Sequence, residues 1–442
     1  MAKTQTKLSP SSDLLARLAH SRSATDKLFE VPLREALYDR PIPERHRIVF
    51  YIGHLEAFDW NLLGNYAFQV KSSHAEFDKL FAFGIDPVDG GLPSDQPSDW
   101  PRLEEVHNYN RSVRQELDGR LKNEDLSEAD GALSQLGTYL SVAIEHRLMH
   151  AETLAYMLHQ VPLNRKTRQS SANVPVAPVA DRKMLEIPAG TATLGIARIE
   201  KVFGWDNEFE LHTVQVPAFT IDEYKVTNGE FLKFLNEGGY QNRGLWSDTD
   251  WEWIELQGIR HPQFWVRENG SWNYRTMFAE IPLPLDWPVY VSHAEAAAYA
   301  RWAGKQLPTE AQFHRAAYGT REGKESAYPW GSAPPERSRG NFDFWNWDPT
   351  PVQAHAAGRS SFGVADLLGN GWEWTSTVFE PFPGFEPFPF YQGYSANFFD
   401  GKHYVMKGGS ARTAACMLRR SFRNWFQPRY QYVYSGFRCV SN

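Results

Sequence analysis

The chain has 442 residues, a formal net charge of −7 and 22% charged residues. That length allows two or three domains with buried cores, and the acidic balance excludes general nucleic-acid binding, which needs a basic face. Two cysteines, Cys416 and Cys439, cannot build a disulfide framework, and no run of about 18 apolar residues could span a bilayer, so the reading is a cytoplasmic protein with neither membrane nor nucleic acid as partner.

Taken in order, residues 11–38 predict a first helix, with Ser12 and Asp13 as its N-cap. The N-terminal MAKTQTKLSPSSDLL has no apolar signal region. A second helix is expected from about Pro43 to Val70. It carries Ile48, Phe50, Tyr51, His54, Phe58, Leu62 and Leu63 at helical spacing, which leaves His54 among apolar neighbours. The turn formers of Gly84–Pro93 predict a loop. A third helix opens at Asp99 and runs to about Leu121, and a fourth spans Leu133–His159.

The fourth helix contains His146-Arg-Leu-Met-His150-Ala-Glu152. Residues four apart differ by about 40° around a helix, so both imidazoles can point at one ion. They extend an apolar face made by Leu136, Leu140, Ala143, Leu154 and Met157. Inward imidazoles need polar partners, and a metal supplies one. Taken alone, the pair could equally be polar surface. Glu152 lies about 200° round from His150, which suits an orienting role rather than ligation. Four amphipathic helices with an inward cluster describe a bundle.

Residues 161–182, rich in Pro and Ser, read as linker. The expected domains are 1–162, then a linker over 163–182, then 183–442. From Lys183 short strand-like runs appear at Met184–Ile187, His212–Val216 and Phe219–Ile221. Two helices are marked by capping boxes: Ser292–Trp302, with Glu295, and Thr309–Tyr318, with Gln312. The tail, Asn370 to Val440, reads as irregular and aromatic. Aromatic residues are 14% of the chain, with 16 Trp, as suits a small-molecule site or a Trp-stapled fold.

These features carry a resemblance. The first half is similar to DinB-like four-helix bundles, which hold a metal with three histidines. The second resembles the formylglycine-generating enzyme fold, which is C-type-lectin-like. The matching motifs are Ile187-Pro-Ala-Gly-Thr, Tyr224-Lys-Val-Thr-Asn, Trp287-Pro-Val-Tyr-Val-Ser, Trp302-Ala-Gly-Lys-Gln-Leu-Pro-Thr-Glu, Tyr328-Pro-Trp-Gly, Gly369-Asn-Gly-Trp-Glu-Trp-Thr, Lys407-Gly-Gly-Ser and Gly436-Phe-Arg. The implied fold class is therefore an α bundle followed by an irregular mixed α/β domain. In this order the two halves resemble the EgtB-type sulfoxide synthases of ergothioneine biosynthesis.

That resemblance implies a non-haem Fe(II) enzyme that uses O2 to join a thiol to the imidazole of hercynine (Nα-trimethylhistidine). The implied iron ligands are His54, His146 and His150. Zinc is the default ion for three histidines on residue type alone, and iron rests on the family. A Tyr in the tail is implied as proton donor, with Tyr391 and Tyr394 as the matching candidates. Arg419-Arg-Ser-Phe-Arg-Asn424-Trp425 matches the segment that holds the trimethylated amino acid; Trp425, Phe426, Tyr391 and Tyr394 could offer aromatic faces to a quaternary ammonium. Met149 replaces the family's Gln between the histidines. Where the mycobacterial type carries an Asp and an Arg for γ-glutamylcysteine, this chain has Phe426 and Tyr430. The implied sulfur donor is accordingly cysteine; a selenosugar donor or an ovothiol-type reaction on histidine is the alternative. Arg102, Arg420 and Arg423 are candidates for the donor's carboxylate. A copper-dependent formylglycine-generating activity is excluded by the missing second cysteine near Cys416, and both cysteines are expected as buried small hydrophobes. A non-catalytic ligand-binding module is the reading from a different class. The implied architecture folds the tail over the bundle to complete the pocket.

Overall fold

The structure, a computed structural model, describes residues 10–83, 92–122, 124, 134–167, 183–200 and 202–441. Most of the expected loop (84–91) and of the expected linker (168–182) lie outside the described residues. The chain divides into two compact units, Met1–Gln169 with Ile199–Phe203, and Ser170–Arg198 with Gly204–Asn442.

The first unit is helical: α1 Pro10–Leu28, α2 Ile48–Asp59, α3 Ala75–Phe83, α4 Leu103–Leu121 and α5 Gln135–Gln160. Three helices are shorter than expected. The first stops at Leu28 because Pro32 lacks an N–H and disfavours helix in the residue before it; the chain resumes as a 3-10 turn, Arg34–Tyr38. Likewise α2 starts only after Pro41 and Pro43, and α4 only after Pro101. Beyond Asp59 the helix widens into a π-helical stretch, Trp60–Ala67, a feature that often marks functional sites. Helix α3 is not expected from periodicity, because its nine residues carry only a short apolar stripe.

Helix α2 is the centre of this unit, packing on α3, α4 and α5, while α1 packs on α5. The core holds Ile48, Ile52, Leu55, Val106, Leu117, Leu140, Ala143 and Leu154, all buried. Burying each larger aliphatic side chain contributes about 1.5–3 kcal/mol.

The second unit combines small sheets with short helices. Strands β1 (Met184–Ile187), β4 (Phe219–Asp222) and β12 (Val440–Ser441) make one sheet in the order β1-β4-β12, and β2 (Gly190–Leu194) pairs with β3 (His212–Val216). A meander of β5 (Trp265–Glu268), β6 (Ser271–Arg275) and β7 (Glu280–Pro282) follows two helices the sequence did not reveal, α6 (Asn228–Asn236) and α7 (Asp248–Gln257). Helices α8 (His293–Trp302) and α9 (Glu310–Tyr318) start at their capping boxes, Ser292 with Glu295 and Thr309 with Gln312. A reciprocal cap is satisfied locally, so it is legible without tertiary context.

The tail is more regular than expected. Strands β8 (Trp372–Val378), β9 (Tyr404–Lys407), β10 (Asn424–Phe426) and β11 (Ser435–Gly436) form one sheet in the order β10-β9-β8-β11. Mostly two to four residues long and separated by long loops, they carry too little alternation to be read. Three quoted motifs meet beneath this sheet. Fully buried Arg438 donates to the Glu373 carboxylate at 2.6 and 2.8 Å and to the carbonyls of Asp222, Glu223 and Ala365. Lys225 lies 3.2 Å from the same carboxylate. No helix among the described residues is long and apolar enough to cross a membrane.

Candidate metal centre and substrate segment

His54 on α2 and His146 and His150 on α5 converge in the first unit. Their candidate ligand atoms all lie within 4.8 Å of one another. His54 Nδ1 is 2.7 Å from the Phe81 carbonyl. A carbonyl only accepts, so Nδ1 carries the proton and Nε2 keeps its lone pair for an ion. The close approach of Phe81 depends on Gly53, where a Cβ would stand 2.5 Å from the Phe81 ring. The unforeseen helix α3 therefore orients the His54 imidazole.

The other ring positions are set by stacking. His54 lies on Phe50 (centroids 4.7 Å, 27°) and His146 on Phe58 (3.4 Å, 10°). His54 Nε2 and His150 Nε2 are 3.2 Å apart. Two nitrogens each about 2.0–2.1 Å from one ion would stand about 3.0 Å apart at a right angle and about 3.3 Å in a tetrahedron. The spacing fits a shared divalent ion. Burial pushes the His54 imidazolium down to about 4, and burial, reinforced by the neighbouring imidazoles, holds His146 and His150 well below the ordinary range. All three are then neutral near pH 7, the state that binds metal.

Two features here escaped the sequence reading. Tyr51, one turn before His54, puts its ring 5.7 Å from that of His150, and burial pushes its phenol up to about 12. Nearby, Arg45 donates to the Tyr156 hydroxyl at 2.8 Å. The i, i+3 spacing of Tyr51 to His54 was the available signal. The second feature is a buried ion network. Arg147, next to His146, donates to Glu56 at 3.0 Å, Asp59 at 2.7 Å and the Leu55 carbonyl at 3.0 Å. Arg114 reaches Glu56 at 2.6 Å. Glu152 is buried but outside the ligand cluster. Met149 is half-buried, and Arg102 is exposed at the start of α4.

In the second unit Tyr391, Tyr394 and Trp425 are brought together. Trp205 stacks on Tyr394 (4.0 Å, 25°), Tyr394 meets Trp425 (5.4 Å), Tyr391 meets Tyr394 (5.5 Å), and Trp425 stacks on Phe379 (4.2 Å, 7°). Asn424 turns its side-chain oxygen to the Trp425 N–H. Phe426 and Tyr430 stack on each other at 5.2 Å and 15°. Burial, helped by Asp206, pushes the Tyr391 phenol up to about 12.

Two of the three candidate arginines are already engaged within the protein. Arg423 does not present its fork to a ligand: it is buried, pairs with Glu310 at 3.2 Å, donates to the Glu380 carbonyl and lies over Phe382 at 4.0 Å. Arg420 is paired with Glu325 at 3.0 Å. Of the cysteines, Cys439 is buried as expected, whereas Cys416 is half-exposed at the surface of a 3-10 turn.

Asp206 carries a pH prediction. Burial raises its carboxyl to about 6, against the opposing hydrogen bond from Ser395. A raised carboxyl favours the protonated fold, so its stability contribution is complete below the unfolded value near 3.8 and is lost as pH rises through about 6. About two units correspond to about 3 kcal/mol at full ionisation. Asp206→Asn should therefore be more stable than the parent at pH 7.5, with the gain fading toward pH 4. Denaturant midpoints at both pH values measure it; an equal difference at both would contradict the assignment.

Residues 170–442 match the family model described as the sulfatase-modifying factor enzyme 1-like domain. A hercynine oxygenase of Mycolicibacterium thermoresistibile is 38% identical over 306 residues, 68% of each chain. Ergothioneine biosynthesis protein 1 of Neurospora crassa is 31% identical over 494 aligned residues, which cover 92% of this chain and 55% of that protein. Among solved structures, PvdO of Pseudomonas aeruginosa aligns at 20% identity and TM-score 0.39, covering 59% of this chain and 94% of that one.

Proposed function

This chain belongs to the EgtB-like family of ergothioneine-biosynthesis proteins, with a sulfatase-modifying factor enzyme 1-like domain as its second part, and from that premise we propose that it is an Fe(II)- and O2-dependent sulfoxide synthase joining hercynine to cysteine. The observation that carries the reading is the convergence of three neutral imidazoles, buried His146 and half-buried His54 and His150, within reach of one ion. The imidazole C–H and the thiol S–H are lost, a C–S bond forms, one oxygen atom of O2 goes to sulfur, and the other leaves as water with the two hydrogens.

His54, His146 and His150 would hold the iron, which would supply open positions for substrates and O2. The chain's own residues do the rest. Phe81 fixes the His54 tautomer. The half-buried ring of Trp425 suits a trimethylammonium, which has no N–H to donate. The Phe426–Tyr430 stack offers no charge to a γ-glutamyl group, and so favours a donor as small as cysteine. Tyr391 is our choice of proton donor: it remains protonated near neutral pH and is half-exposed, whereas Tyr394 is packed against Trp205. Tyr391→Phe should lower kcat on the order of a hundredfold, and Tyr394→Phe should lower it less.

The test loads the protein anaerobically with Fe(II), then follows O2 uptake and product mass with hercynine plus cysteine. Uptake with the mass of a cysteine sulfoxide adduct is expected. No uptake by a loaded, folded protein overturns the enzyme reading. Product only with γ-glutamylcysteine, a selenosugar or histidine would reassign the substrates.

A further inference from the structure

The two segments singled out in the tail, Phe388–Tyr394 and Arg419–Trp425, are far apart in sequence and are held by the same four residues, Trp205-Asp-Asn-Glu208, which no motif had marked. This stretch forms a 3-10 turn closed by its own cap, Trp205 N–H to Glu208 at 2.8 Å. All four residues are buried, at 0 to 1% exposure.

Each carboxylate serves one segment. Ser395 donates its hydroxyl to Asp206, and Trp205 stacks on Tyr394 beside it. Glu208 accepts from Arg419 Nε at 2.8 Å and from the Ser421 hydroxyl at 2.6 Å. Asn207 offers its carbonyl to Arg423 at 3.4 Å. Two acidic side chains with no exposure are costly to bury unless they hold something in place. Arg419 satisfies Glu208. Asp206 has the Ser395 hydroxyl on one oxygen, and the backbone of Asn207 and Phe388 also acts on its carboxylate. Such an arrangement is a poor device for stability alone, since an apolar pair of the same shape would pack there without the desolvation cost.

We propose that Asp206 and Glu208 are positioning residues for the proposed reaction, Asp206 fixing the Tyr391–Tyr394 segment through Ser395 and Glu208 fixing Asn424-Trp425 through Arg419 and Ser421. The inference rests on the functional reading above. Misplacing a reacting group by about 1 Å can cost on the order of a hundredfold. The two carboxylates should then fail differently. Loosening the Tyr segment lowers kcat, whereas loosening the Asn424-Trp425 segment weakens hold on the imidazole substrate.

The experiment uses the full, Fe(II)-loaded chain and compares Asp206→Ala, Asp206→Asn, Ser395→Ala and Ser421→Ala with the parent. Asp206→Ala and Ser395→Ala should lower kcat about tenfold or more with KM for hercynine within about twofold. Asp206→Asn keeps an oxygen for Ser395 and should recover most of the rate. Ser421→Ala should raise KM for hercynine about fivefold with little change in kcat, as for one lost hydrogen bond. Hydrogen exchange over residues 387–399 provides a readout independent of turnover, and should accelerate in Asp206→Ala and Ser395→Ala but not in Asp206→Asn. Parent protein without product sinks the functional reading and leaves the exchange arm to judge the clip. An active parent with unchanged kinetics in these variants, kcat and KM moving together in every variant, or unchanged exchange overturns the positioning roles.

Discussion

His54→Ala is expected to lower affinity for Fe(II), or for Co(II) as a spectroscopic substitute, by more than about a hundredfold, the upper range for loss of a mere outer partner of a ligand. The reason lies in how the imidazole is held. Its Nδ1–H is committed to the Phe81 carbonyl, its ring lies on Phe50, and Nε2 stands 3.2 Å from that of His150. Among the described residues no carboxylate belongs to the cluster, so water would have to replace the lost nitrogen. Metal-free stability should change far less, because only one hydrogen bond, worth about 1 kcal/mol, and some ring packing disappear. Titration of the metal-free protein under anaerobic conditions gives the affinity. Retention of parental affinity by His54→Ala would refute the three-histidine site outright.

Arg147→Ala should produce the largest loss of fold stability, about 3–5 kcal/mol, against a total of about 5–15 kcal/mol for a typical domain. Arg147 has no exposure and serves two carboxylates, Glu56 and Asp59, that are themselves buried. Removing the guanidinium leaves Glu56 with Arg114, and Asp59 with the more distant Arg22 at 3.9 Å. Asp59 bears the loss: burial already pushes its carboxyl up, with Arg147 the main opposing charge. The combined variant Arg147→Met, Glu56→Gln, Asp59→Asn should recover much of the stability, because a buried ion pair is costly to break but not to replace as a unit. Urea unfolding of the metal-free chain decides this; a loss under about 1 kcal/mol for Arg147→Ala would show that the network is not what ties α2 to α5. Because the network sits beside His146 and on the helix of His54, a fall in metal affinity of about ten- to a hundredfold should accompany the loss.

The legible parts of this protein share one property: their physics is local. The His146–His150 pair could be read because four residues on a helix bring two side chains to one face. The starts of α8 and α9 could be read because a capping box closes within four residues. The long α5 followed from helical periodicity, the change of character near Lys183 from composition, and the family motifs from ordered short strings. By contrast α3, α6 and α7, only nine or ten residues long, carry too few turns for their period to show, and the tail sheet is built from strands that only their partners stabilise.

Side-chain occupancy was also invisible in one dimension. Arg423 read as a possible carboxylate clamp because guanidinium forks suit carboxylates; the fold gives that fork to Glu310 and to backbone carbonyls instead. Tyr51 carried its signal at i, i+3 from His54, yet only packing places its ring beside His150.

The sequence by itself determined the residue types of the candidate metal centre, the two-part organisation, the family and the aromatic character of the tail, because periodicity, composition and motif order survive without coordinates. Tertiary structure alone decided which lone pair of His54 is available, through the approach of Phe81 over Gly53, and which arginines are occupied. It also decided that Trp205–Glu208 holds both tail segments. These are contacts between residues up to more than 200 positions apart, set by burial and hydrogen-bond satisfaction, and no local pattern encodes them.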